Sequence, residues 1–412
     1  MTANPIKLLL GGVPAEELVA THGSPLYVYE EDLIRDRYDE LNGCIEYPKK
    51  RIHYAAKANS NLEILSLLRS MGSGIDATSP GEVFLSLKAG FSPNDIIFTG
   101  VNSSPSDLRF CHDAGVQVNI GSLYLLEQWG RAHPGSKLSV RVNPDVGAGH
   151  HDHTITGGPS SKFGIYYNQM GMVSEIAERY DLEINGVHAH IGSGILETDS
   201  FIRAMDIILK SARGLDGLEF IDIGGGIGIP YRSREQSIDL AGLGASISSR
   251  FQDFCEEYGT ELELKMEPGR YLVAEAGTLL VTVTNLKQTP RFNFIGVDSG
   301  FNHLQRPIMY GSFHEIQNAS RMDAPEEAYV VGGNLCESGD VFTRGEQGIE
   351  ERMIPIPEVG DILALRNSGA YGFSMASTYN GRLLPAEVIV SGGRARLIRE
   401  RQTFEDLIRG MI

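Results

Sequence analysis

Between about residue 50 and residue 270 the chain alternates short β-branched runs with longer stretches whose apolar residues recur every three or four positions. The strand-like runs are "RIHYAAK", "SGIDATS", "DIIFTG", "VQVNIG", "KLSVRVNP", "GVHAHIGS", "EFIDIGGG" and "LELKMEPGR". Amphipathic segments such as "NLEILSLLRSMG", "SLYLLEQWGRA" and "FIRAMDIILKSARG" separate them, with the spacing of helices that bury one face. Eight βα units in about 220 residues predict a (β/α)8 barrel of the TIM type rather than an open doubly wound sheet.

After about residue 275 the long helical segments stop and strand-like runs follow one another: "TLLVTVTNLKQ", "FNFIGVDSG", "EEAYVVGG", "DILALRNSGAY" and "AEVIVSGGRARLIRER". They predict a second domain, an antiparallel β-sandwich or barrel. The early run "SPLYVYEE" also reads as a strand and could pair into it. The expected division is a barrel over 30–275 and a β domain built from 1–29 plus 276–412.

Composition limits the partners. Of 412 residues, 42% are hydrophobic and 22% charged, the balance of an ordinary globular protein. A net charge of −17 repels nucleic acid and anionic membranes, so an anionic small ligand needs a local cluster of donors. No apolar run approaches the roughly 20 residues that span a bilayer, and the first apolar stretch is too short for a signal peptide, so a cytoplasmic protein is expected. The four cysteines, Cys44, Cys111, Cys255 and Cys336, are widely spaced with no C-x-x-C pair, which disfavours a disulfide framework and a structural zinc site.

In a barrel of this kind catalytic groups collect at the C-terminal ends of the strands, and Lys57, Asp76, Asn143, His190, Gly224 to Gly226 and Glu267 all fall there. "DIGGGIGIP" follows strand seven with three consecutive glycines. They make a tight turn or leave backbone N–H groups uncovered for a phosphate; Ile229 breaks the dinucleotide pattern G-x-G-x-x-G. "MEPGR" ends strand eight with Glu267 and Arg270, either a surface ion pair or a carboxylate and a guanidinium facing a ligand. His188 and His190 of "GVHAHIGSG" sit two apart on one strand face, as core residues, metal ligands, or an imidazole lying flat on a planar cofactor. No third ligand stands at a convincing spacing, and "GHHDH" from His150 to His153 reads as a solvated loop, so no metal is expected. "NLCESGDVF" places Cys336 among polar turn residues with Glu337 and Asp340, where a thiol can act as acid or nucleophile.

Lys57 alone reads as a surface charge. With a phosphate cradle, a carboxylate and an imidazole at later strand ends of the same barrel, it becomes the amine that pyridoxal phosphate requires for its aldehyde.

The ordered motifs "YAAKAN", "GIDATSPGE", "NPDVGAGHHDHTITGGPSSKFGI", "HIGSG", "GGGIGIPY", "EPGR", "NHLQRPIMYGSFHEI", "CESGDVF" and "GAYGFSMASTYNGRLLPAEV" run over almost the whole chain. On these motifs the chain resembles the alanine-racemase-like (fold-type III) pyridoxal-phosphate decarboxylases, in the branch that acts on diaminopimelate. The resemblance implies that Lys57 holds pyridoxal 5'-phosphate, that His190 stacks on its ring, and that Asp76 is a further cofactor contact. Ser193, Gly225, Gly226, Gly269, Arg270 and Tyr371 would bind the phosphate, and Glu267 the ring nitrogen. Arg270, Arg306, Tyr310, Glu337 and Tyr371 would bind substrate, the arginines taking the distal carboxylate and Glu337 the distal ammonium. Cys336 would return a proton to the substrate carbon in the neighbouring subunit, which implies a homodimer with shared active sites.

The implied reaction is decarboxylation of meso-2,6-diaminopimelate to L-lysine and CO2, with rivals in a sister decarboxylase of another carboxylated amino acid or conjugate and in a pyridoxal-phosphate-binding protein without turnover. Two positions depart from the family pattern: Gly194 stands where a glutamine is expected, and His303 where an aspartate is.

Overall fold

The structure, a computed structural model, describes residues 6–149, 151, 155–345 and 347–412. The chain divides into two compact units. One comprises Arg37–Ile229 and Gln236–Tyr271; the other takes the stretch ending at Asp36, then Pro230–Glu235 and Leu272–Ile412.

The first unit is a closed parallel barrel. Its strands, in chain order, are Lys50–Ala55, Gly74–Ala77, Ile96–Phe98, Gln117–Ile120, Lys137–Asn143, Glu183–His188, Phe220–Asp222 and Glu263–Met266. Each pairs in parallel with the next, and the eighth returns to the first through Leu264 opposite Lys50 and Met266 opposite Ile52. These are the eight runs the sequence predicted.

Local chemistry starts the helices where the strands end. Asn61, Ser79, Ser104 and Ser122 each accept a hydrogen bond from a first-turn backbone N–H, and Pro80 and Pro105 follow two of these caps at the first helical position. The barrel interior is partly polar. Asn119 donates to Thr99 at 3.2 Å and accepts from Ser139 at 3.2 Å, while Gln117 and Asn185 exchange amide hydrogen bonds at 3.0 and 3.1 Å. Gly186 gives way to Phe220, whose ring would lie 2.3 Å from a Cβ added there.

In the second unit one sheet runs Arg352–Pro355, Glu326–Gly332, Asn293–Val297, Gly277–Gln288, Leu26–Glu30, Ala386–Ser391, Arg394–Arg399. The twelve-residue strand Gly277–Gln288 ties it together: its first half pairs with Leu26–Glu30 and Ile362–Leu365, its second with Asn293–Val297. The early strand therefore does pair into this unit. Most pairs are antiparallel, but Leu26–Glu30 lies parallel to Ala386–Ser391, and Asn293–Val297 parallel to Glu326–Gly332. Both partners in each parallel pair are far apart in the chain, so no hairpin forces the antiparallel sense. Leu26, Val28, Leu280, Ala364, Val388 and Val390 form the buried core of this unit. Among the described residues no helix is long and apolar enough to cross a membrane.

Candidate active site

Strand one ends at Ala55, and a single 3-10 turn, Ala56–Ala58, carries Lys57 away from it. Ala55 stands in register with Asp76 on strand two, which sets the two side chains side by side. Lys57 Nζ donates to Asp76 Oδ2 at 2.5 Å; Asp76 is buried, whereas the lysine side chain keeps 31% of its exposure. The amine is thus held by a carboxylate and reachable from outside.

Strands six to eight bring three acids and bases together. His188 Nε2 lies 2.9 Å from Glu267 Oε2, and Asp222 offers a carboxylate oxygen within 4.8 Å of both. All three are buried. Burial disfavours every charged form here, pushing the Glu267 and Asp222 carboxyls well above the carboxylate range and the His188 imidazole down to about 4. The Glu267 charge raises Asp222 further, whereas a side-chain hydrogen bond with Asp222 lowers Glu267, so burial outweighs that bond in keeping the cluster in its neutral, proton-holding state. Glu267 Oε1 accepts no N–H or hydroxyl hydrogen bond among the described residues; the side-chain partners of Glu267 are His188 and the Asp222 carboxyl. No third ligand stands near the two histidines along the chain, yet the fold brings Asp222 and Glu267 to His188; His188, Asp222 and Glu267 could hold a metal ion, but the same His188 and Glu267 atoms already face each other in a hydrogen bond.

His190 takes a different partner. Gly225 N–H donates to His190 Nδ1 at 3.0 Å, so Nδ1 carries no proton. Burial, with the Lys57 and Arg141 cations, holds the imidazole well below its ordinary range, and it stays neutral. Arg141, buried on strand five, packs its guanidinium 4.6 Å from the Phe163 ring centroid and donates weakly to His190 O at 3.4 Å. Burial pulls Arg141 down to about 10 while the Glu267 and Asp76 charges hold it up. Sequence reasoning missed Arg141 and Asp222, since one charge inside a strand has no motif around it.

The three glycines are all needed by the backbone. A Cβ on Gly224 would lie 2.2 Å from Ala189 O, on Gly225 1.8 Å from Glu267 O, and on Gly226 2.5 Å from Gly192 O. Gly224 and Gly226 also adopt φ of +71° and +117°, where side chains are strained. Because the Gly225 amide is engaged by His190, the glycine turn offers a phosphate less than three free donors. Arg270 adds a cation beside it: its guanidinium donates to Ser193 Oγ at 3.3 Å from Nε and 3.1 Å from Nη2. Gly269 is held close to Ala55 and Ala58, and Ala55 N–H donates to Pro268 O at 3.0 Å, so strands one and eight meet at the lysine turn.

Lys57, Asp76, His190, Ser193, Gly225, Gly226, Glu267, Gly269 and Arg270 therefore collect at the strand ends of one barrel. Asn143 is engaged elsewhere: its amide accepts from Asp145 N and Gly158 N and donates to Gly158 O, pinning its loop. His150, Asp152 and His153 of "GHHDH" lie outside the described residues.

The remaining predicted residues belong to the second unit. Arg306 opens the short helix Arg306–Tyr310 with Pro307 behind it, and is almost wholly buried. The Cys336 loop lies against this helix, for a Cβ on Gly339 would come 2.7 Å from Ile308. Asp340 ties the loop by accepting from Leu335 N at 2.8 Å and Phe301 N at 2.7 Å, and Cys336 N–H donates to Asn380 Oδ1 at 2.8 Å. Cys336 and Glu337 are exposed. Tyr371 holds a left-handed φ of +57°, a strained conformation of the kind found at functional positions.

The two departures from the family pattern have local reasons. Gly194 adopts φ +80° against the backbone of Gly228, where a glutamine would be strained. His303 is a core residue of the β unit: it is buried, with Nε2 3.0 Å from Leu383 O and Nδ1 3.0 Å from Ser299 Oγ.

Residues 32–274 match the family model described as pyridoxal-dependent decarboxylase, pyridoxal binding domain. The diaminopimelate decarboxylase of Methanothermobacter thermautotrophicus is 45% identical, over 98% of this chain and 95% of its own. That of Escherichia coli K12 is 39% identical, over 95% and 94%. Among solved structures, diaminopimelate decarboxylase from Helicobacter pylori complexed with L-lysine is 35% identical, covers 96% of this chain and 98% of its own, and superposes with a TM-score of 0.86. The chain belongs to the diaminopimelate decarboxylase family of pyridoxal-dependent decarboxylases.

Proposed function

We propose that the protein decarboxylates meso-2,6-diaminopimelate to L-lysine and CO2, the closing step of lysine biosynthesis, with pyridoxal phosphate as cofactor. The observation that carries this reading is Glu267, a carboxyl at the end of strand eight that burial beside His188 and Asp222 keeps neutral. The residues fit the cofactor at three points. Lys57 suits its aldehyde, Arg270 with Ser193 and the glycine turn suits its phosphate, and Glu267 Oε1 suits a protonated ring nitrogen. When bound, the cofactor supplies an electron sink for the pair left behind as CO2 departs.

The chain's own residues prepare that chemistry. Asp76 fixes the lysine amine. Glu267, neutral through burial, brings a proton to the ring-nitrogen position, and His188 holds its other oxygen. A carboxyl there favours decarboxylation over racemisation, because an arginine would weaken the sink. His190, neutral and oriented by Gly225, presents an uncharged ring for stacking. Asp76, Gly226 and Gly269 complete the cofactor contacts, with Tyr371 on the phosphate.

For substrate, Arg270, Arg306 and Tyr310 would take the distal carboxylate, Glu337 the distal ammonium, and Tyr371 would close over the bound amino acid. Cys336 would return the proton to the substrate carbon in a second copy of the chain, so the working unit is a homodimer. Its exposure, together with that of Glu337, supports this reading. We assign the cofactor to the barrel read from sequence as 30–275 and the dimer contacts to the β domain of 1–29 plus 276–412. The four unpaired cysteines support a reducing, cytoplasmic location.

Incubating the purified holoenzyme separately with meso-diaminopimelate, ornithine and arginine tests the substrate. Lysine and CO2 should form from the first alone, and a preparation that releases no lysine from diaminopimelate would overturn the reading.

A further inference from the structure

We propose that His314 is a positioning residue that fixes the Arg306 guanidinium for capture of the substrate's distal carboxylate; the inference rests on the substrate role given to Arg306 above.

Arg306 is 1% exposed, and a buried guanidinium needs acceptors for its N–H fork. Nη1 donates to His314 Nε2 at 3.1 Å. His314 Nδ1 lies 2.9 Å from Arg366 O, and a carbonyl can only accept, so Nδ1 carries the proton and Nε2 the free lone pair. The imidazole that meets Arg306 is therefore the neutral tautomer. Its backbone is fixed too, since Arg352 Nη1 donates to His314 O at 3.0 Å. Tyr231 completes the clamp: the Arg306 Cζ sits 4.7 Å from its ring centroid, and the same ring packs edge-on against His314 at 5.6 Å.

The choice of a neutral acceptor has a consequence for binding. A carboxylate in the place of His314 would satisfy the same N–H but cancel the charge of Arg306. Neither the imidazole nor the aromatic face carries a negative charge, so neither competes with an incoming carboxylate for the guanidinium. Without the Nε2 acceptor the fork can turn about its long side chain, and planar, two-point capture of a carboxylate is lost. A substrate lacking a distal carboxylate gains nothing from this arrangement, so His314 contributes to selectivity and not to bond breaking.

The test uses holoenzyme variants in steady-state assays with meso-diaminopimelate, with cofactor absorbance as the check on folding. His314→Asn can keep a donor toward Arg366 O but has no acceptor at the ε position; His314→Ala is the second loss variant should Asn fail to retain cofactor. His314→Gln restores an acceptor at that reach. The loss variant should raise KM about 10-fold with kcat within about twofold, Gln should recover most of it, and in an Arg306→Ala background the loss variant should shift KM less than about twofold. If Arg306→Ala leaves KM unchanged, the substrate role of Arg306 fails and this inference with it. If Arg306→Ala raises KM but the His314 loss variant does not, or the two effects multiply in the double variant, the positioning role alone is overturned.

Discussion

His188 Nε2 and Glu267 Oε2 face each other across 2.9 Å in a nearly solvent-free corner of the barrel, and burial drives both side chains toward their uncharged forms. The contact is therefore a neutral hydrogen bond and not an ion pair. A buried ion pair would repay its desolvation poorly, whereas a neutral pair holds a proton ready at the carboxyl.

Glu267→Gln keeps a neutral group that can hydrogen-bond His188, so urea unfolding should change by no more than about 1 kcal/mol. Activity should still fall roughly 100- to 1000-fold, because an amide cannot supply the proton at the ring nitrogen. Glu267→Ala should lose activity and also about 1–3 kcal/mol of stability, since it strands a buried imidazole nitrogen. Equal activity in the Gln variant and the parent would contradict the role given to Glu267.

Lys57 is expected to carry the cofactor. Borohydride reduction of the holoenzyme followed by peptide mapping should place the label in "YAAKAN", and Lys57→Ala should lose activity by at least about 1000-fold. A label on any other lysine would remove the assignment.

Cys336 is exposed, so Cys336→Ala should leave stability within about 0.5 kcal/mol of the parent and keep the cofactor's colour. Turnover should drop by about 100-fold or more if the thiol delivers the proton. Normal turnover would show that another group does so.

Acid should weaken the fold through its buried histidines. His303 is held down to about 4 by desolvation, while an unfolded histidine titrates near 6.5, so between those values the unfolded chain binds a proton that the folded one refuses. Stability linked to His303 is fully present above about pH 6.5 and is lost as pH falls toward about 4. In His303→Asn, denaturant unfolding measured across that window should show a pH slope shallower by up to about 1.4 kcal/mol per pH unit. An unchanged slope would mean that His303 protonates in the folded state.

Much of the architecture was legible along the chain because its causes are local. The alternation of β-branched runs and amphipathic segments marked all eight barrel strands, and residues such as Ser79 with Pro80 and Ser104 with Pro105 marked where helices start. The parallel pairing of Leu26–Glu30 with Ala386–Ser391 was not legible, because strand sense between distant segments depends on the whole sheet.

At the site the boundary lies in the same place. The lysine after strand one, the glycine turn after strand seven and the carboxyl after strand eight are readable along the chain alone, since each is a short motif at a predictable strand end. His188 and His190 were indistinguishable there, two residues apart on one alternating face. Only the tertiary structure gave His188 to Glu267 and His190 to the Gly225 amide, set Asp222 beside them, and placed His314 on Arg306. Protonation and tautomer follow from which polar atoms meet in the absence of water, and residues far apart in the chain meet only when the barrel closes and the sheet forms.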